Sequence, residues 1–149
     1  MSEERRRVLF VCFGNACRSQ MAEAFARAYG SDVLIPASAG LGPANRVAHD
    51  TVRAMLEKGL NVRDHFPKDL RHMLRLHFDL VVNLCGLPLP DCGAPIREWD
   101  VSDPVSMSYE DHCAVRDEIE RLVMALILEL RREGGGPNLR GEGSGRVEL

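Results

Sequence analysis

The chain has 149 residues, 45% of them hydrophobic and 28% charged, with a formal net charge of −3. That is enough for one domain with a sizeable core, without disulfide or metal staples. Mild acidity removes any bulk electrostatic reason to bind nucleic acid or an anionic membrane, so an anion must be held by a local site.

"MSEERRRVLFVCFGN" places basic residues before an apolar run, Val8 to Phe13. The run is shorter than a secretory h-region and no small-residue cleavage site follows it. Nothing else approaches the ~20 apolar residues of a spanning helix, so a cytoplasmic protein is expected.

Val8 to Val11 is a continuous β-branched and aromatic run, the pattern of a strand buried on both faces. Ser19 to Tyr29 sets Met21, Phe25, Ala28 and Tyr29 on one helical stripe, with Gly30 as its stop. "DVLIPASAG" reads as a second strand, at an edge because Pro36 cannot donate to a ladder. Asn45 to Lys58 predicts a helix with Val47, Thr51, Val52, Met55 and Leu56 inward and Gly59 ending it. A short helix opens at Pro67, with Leu70, Met73 and Leu74 as its apolar side. Phe78 to Cys85 is another buried strand, and a loop with Pro88, Pro90 and Pro95 leads to a short strand at Ile96 to Trp99. The last helix runs from Tyr109 to Arg132, capped by Ser108 with Asp111 three residues on. Val115, Ile119, Leu122, Val123, Leu126, Ile127 and Leu130 form its buried stripe. Residues 133–149 read as a Gly-rich flexible tail after a catalytic domain at 1–132.

This alternation implies an α/β three-layer sandwich, a four-stranded parallel sheet flanked by helices. Such sheets bind ligands at the carboxyl ends of their strands, where Cys12 and Cys85 both fall. The five cysteines, Cys12, Cys17, Cys85, Cys92 and Cys113, have neither the spacing of a zinc site nor the setting of a disulfide framework. Singly, each reads as a small buried hydrophobe. Cys12 has more around it. In "CFGNACRS" the residues Phe13, Gly14, Asn15, Ala16, Cys17, Arg18 and Ser19 can curl their backbone N–H groups around a tetrahedral oxyanion at a helix N-terminus. Arg18 can grip two oxygens, and the same field together with Ser19 favours Cys12 as a thiolate.

"VLFVCFGNACRSQMAEAFAR" resembles the signature of the low-molecular-weight protein tyrosine phosphatases and of the arsenate reductases that share their flavodoxin-like fold, over about Arg7 to Arg131. The resemblance makes Cys12 the nucleophile and Arg18 the oxyanion ligand. Asn15 then holds the loop's shape, and His65 hydrogen-bonds Asn15. In "REWDVSDPVS" it makes Asp103 the general acid of a phosphatase. Cys85 and Cys92 resemble the second and third cysteines of thioredoxin-coupled arsenate reductases, in which disulfides pass from Cys12–Cys85 to Cys85–Cys92. Gln20 after "CRS" points the same way, whereas the two prolines in "GLPLPD" and the "WDVSDP" stretch point to a phosphatase. Val105, Ser106 and Met107 replace the aromatic wall of a phosphotyrosine pocket. The substrate is thus a small oxyanion or a phosphomonoester. No bound cofactor is expected. Some of these reductases hold potassium, for which Asn15, Glu23, Ser38 and Asp69 are the matching positions, and thioredoxin is the expected reductant. Cys17 and Cys113 are expected to be structural.

Overall fold

The computed structural model describes residues 5–135. Strand β1, Arg6–Cys12, is central; β2 is Leu34–Gly40, β3 Leu80–Asn83 and β4 Ile96–Glu98. All pairings are parallel, in the order β2-β1-β3-β4, with Cys12 level with Gly40 and Val11 level with Asn83. The helices are α1 (Arg18–Gly30), α2 (His49–Leu56), α3 (Leu70–Met73) and α4 (Tyr109–Gly135).

Side chains alternate across a strand, and β1 divides its residues accordingly. Val8, Phe10 and Cys12 enter one core cluster with Met21, Phe25, Met55, Ile119 and Ile127, from α1, α2 and α4. Leu9 and Val11 enter the other with Leu70 and Phe78. Burial on both faces is why β1 carries no polar alternation, and the three layers are those the sequence implies.

Boundaries differ where local hydrogen bonds outrank periodicity. Helix α2 begins at His49 rather than Asn45, because Ala48 still has extended backbone and its N–H donates to Ala16 O at 3.1 Å. Val47 is buried ahead of the helix, and Leu56, expected inward, is 42% exposed. Helix α3 is one turn, started by the Asp69 carboxylate accepting Arg71 N–H at 2.8 Å, not by Pro67. Gly59 ends the α2 region at φ 76° as expected. Gly30 ends α1 as expected and also makes room: a Cβ there would stand 2.7 Å from Ile127, so its bareness admits α4 against α1. Helix α4 runs past Arg132 to Gly135, with Ser108 Oγ accepting Asp111 N–H at 3.1 Å. The remainder of the expected tail, 136–149, lies outside the described residues.

Candidate active site

The loop from Cys12 to Arg18 is tied down by its own carbonyls. Those of Cys12, Phe13, Gly14 and Ala16 accept from the N–H groups of Leu41, Gly42, Ala44 and Ala48 at 2.9–3.3 Å. Among the described residues, no acceptor takes the backbone N–H of any residue from Phe13 to Arg18. Helix α1 then starts at Arg18 with no side-chain cap and no acidic residue in its first turn. A set of unspent donors at a helix N-terminus is an oxyanion cradle.

Cys12 is 2% exposed and faces a relay of donors. Asn15 sits at φ 51°, a left-handed position that asparagine tolerates, and its Nδ2 donates to Ser19 Oγ at 2.7 Å. The Ser19 proton is therefore left for Cys12 Sγ at 2.9 Å, with Ser19 N–H adding a contact at 3.4 Å. Arg18 is buried. Its Nη1 donates to Leu84 O at 2.6 Å and Val101 O at 3.1 Å, and its Nη2 lies 3.4 Å from Asp103 Oδ2. Its buried Nε has no partner among the described residues, which leaves a guanidinium donor for a ligand oxygen.

Asp103 accepts Val105 N–H at 3.1 Å through Oδ1 and keeps a side chain 43% exposed. Cys17 is buried behind the loop, and burial pushes its thiol up to about 11, so it stays protonated at neutral pH. Cys113 is half-buried on α4, well along the chain from the loop.

Cys85 lies two residues past β3. Buried Asn83 holds it there: Oδ1 accepts Cys85 N–H at 3.0 Å, and Nδ2 donates to Leu87 O at 2.8 Å and to both Glu98 carboxylate oxygens. Burial raises the Cys85 thiol, although the Leu87 N–H and the Arg18 charge act the other way; burial also raises that of Cys92. The two do not meet in this structure. Cys85 packs on the Phe10 and Trp99 side of the core, and Cys92 on the Leu70 and Phe78 side.

A family model described as low molecular weight phosphotyrosine protein phosphatase matches residues 7–135. The chain belongs to that family. Within it, the chain is 32% identical over 136 residues to a glutaredoxin arsenate reductase from Synechocystis, covering 84% of this chain and 98% of that one. A solved arsenate reductase in a phosphate-binding state superposes with a TM-score of 0.78 at 31% identity, covering 84% of this chain and 98% of the other. An arginine phosphatase from Geobacillus stearothermophilus superposes at 0.73 with 25% identity, covering 86% and 94%.

Two expectations taken from the family resemblance need correction. His65 does not bond Asn15. Its Nδ1 reaches Gln20 Oε1 at 3.2 Å, and Gln20 Nε2 donates to Asn15 O at 3.1 Å and to Phe66 O at 3.1 Å. An amide oxygen only accepts, so the His65 proton sits on Nδ1; burial lowers the His65 pKa and keeps the ring neutral. Gln20, fully buried, is the buttress that a count of charged and nucleophilic residues passes over.

The potassium positions do not fit a cation. Glu23 Oε1 accepts from Ser38 Oγ at 2.5 Å and its Oε2 from Arg27 at 2.8 Å. Asn15 Oδ1 takes Lys68 N–H at 2.8 Å, and Asp69 is engaged by Arg71. Every oxygen donor has a partner, and the Arg27 guanidinium already supplies positive charge at Glu23. Among the described residues no helix is long and apolar enough to cross a membrane.

Proposed function

We propose that the protein reduces arsenate to arsenite by a relay through Cys12, Cys85 and Cys92. The Cys12 thiolate attacks arsenic and hydroxide leaves. Cys85 then attacks Cys12 Sγ; arsenite departs with the electron pair of the broken S–As bond, leaving a Cys12–Cys85 disulfide. Attack by Cys92 on Cys85 frees Cys12 and leaves Cys85–Cys92 for an external dithiol. Arsenic gains two electrons and the thiols lose two. The observation that carries this reading is the Arg18 bond to Leu84 O. The Arg18 guanidinium, at the end of the oxyanion loop, bonds the carbonyl of the residue before Cys85 at 2.6 Å, which supports a second thiol acting close to the first. The coarse requirement is a thiol reductant. The Synechocystis relative favours glutaredoxin over the thioredoxin that cysteine spacing suggests.

A second reading rests on Asp103 beside Arg18. A part-exposed carboxyl 3.4 Å from the oxyanion-binding arginine suits a general acid, so Cys12 would attack phosphorus and Asp103 protonate the leaving oxygen of a phosphomonoester.

Arsenate-dependent NADPH oxidation, with glutaredoxin and with thioredoxin systems in parallel, is measured beside para-nitrophenyl phosphate hydrolysis. Cys12→Ser abolishes both activities with an unchanged fold. Under the relay, Cys85→Ser and Cys92→Ser abolish arsenate turnover and spare ester hydrolysis. Ester hydrolysis indifferent to both, without arsenate turnover, establishes the phosphatase instead.

A further inference from the structure

Beside the oxyanion loop lies a half-open cleft of about 680 Å³ between the start of α2 and the segment after it. Val47, Val52 and Leu56 form an apolar floor, and Arg46, Arg53 and Arg63 stand around it. Its one carboxylate is committed: Glu57 is gripped by Arg116 at 3.1 Å and by the Tyr109 hydroxyl, which together hold it below the usual carboxylate range. Arg53 lies over the Tyr109 ring at 3.6 Å. The guanidinium groups of Arg46 and Arg63 have no hydrogen-bond or carboxylate partner among the described residues. Three cations on an apolar floor, in a chain of net charge −3, are a local feature that bulk charge does not explain.

We infer that this cleft is a second ligand site, distinct from the Cys12 loop, for a small organic anion with an apolar or aromatic body. The volume is that of ordinary small-molecule pockets, whose walls are mostly apolar with a few converging polar groups. The body lies on Val52 and Leu56. The anionic group meets Arg46 and Arg63, whose planar forks match carboxylate and phosphate alike. An inorganic oxyanion gains nothing from the floor and belongs in the Cys12 loop. The two sites are in hydrogen-bonded continuity, because His65 lines the cleft and bonds Gln20, which bonds Asn15.

The probe is 8-anilinonaphthalene-1-sulfonate, an aromatic organic anion that fluoresces when sheltered, titrated into the full chain with inorganic phosphate saturating the Cys12 loop. One dye per chain is expected, with affinity falling as salt rises. In the Arg46→Glu/Arg63→Glu variant, the dissociation constant rises at least tenfold with an unchanged melting temperature and unchanged para-nitrophenyl phosphate turnover. Phenylacetate and phenyl phosphate, added separately, tell a carboxylate site from a phosphate site by which displaces the dye at lower concentration. Displacement by neither organic anion, or a variant that binds like the wild type, overturns the inference.

Discussion

Arg18 shows how much of this site is decided by one side chain's shape. Its fork reaches two carbonyls and a carboxylate and still leaves Nε for a ligand. Lysine keeps the charge but is a point donor on a flexible stem. Arg18→Lys should therefore lower kcat/KM by about 10²- to 10³-fold, the scale of losing an oxyanion donor, while circular dichroism is unchanged. Cys17 makes a separate prediction in stability. Its thiol titrates at about 11 folded and at the ordinary value of 9.0 unfolded. Between those values the unfolded chain has lost the proton and the native one keeps it, so stability falls as pH rises. The expected loss is about 2 to 3 kcal/mol by pH 11. Urea melts from pH 8 to 11 should show it, and Cys17→Ser should flatten that slope; equal slopes would remove Cys17 as the cause.

Between elements, the site depends on how closely β2 approaches the loop. A Cβ at Gly40 would stand 2.6 Å from Phe13 O and 2.9 Å from Asn15 N, and backbone atoms cannot swing aside as a side-chain tip does. Gly40→Ala should cost about 1 to 3 kcal/mol and weaken phosphate binding together with stability. Retained phosphate affinity in the folded variant would show that the loop tolerates the shift. The clip between α1 and β2 leads to a different result. Glu23 takes Ser38 and Arg27, so replacing choline chloride with potassium chloride at equal ionic strength should leave the melting temperature unmoved. A potassium-specific rise would contradict that arrangement.

Across the whole molecule, the proposed relay must work against the packing of the reduced form. Cys85 and Cys92 rest on opposite sides of the sheet, and Asn83 ties the segment between them to β3 and β4. A disulfide between them has to pull one thiol out of its cluster. The oxidised protein should accordingly exchange amide hydrogens faster over residues 84–93 while β1, α1 and α4 keep their protection. Uniform protection in both redox states would mean the segment does not open, and the phosphatase reading would gain.

Much of this was legible from residues alone. A doubly buried strand has to be continuously apolar, and β1 is; an anion loop has to sit between such a strand and a helix, and "CFGNACRS" does. Cys12, Arg18 and Ser19 follow from local spacing because they act within one turn of chain. Long-range partners carry no such signature. Gln20 between His65 and Asn15, Asn83 under Cys85, Gly40 beneath the loop and Arg27 at the potassium positions are set by which segments the sheet brings side by side. Hydrogen-bond partners and steric room are properties of neighbours in space, so only the tertiary structure decided them.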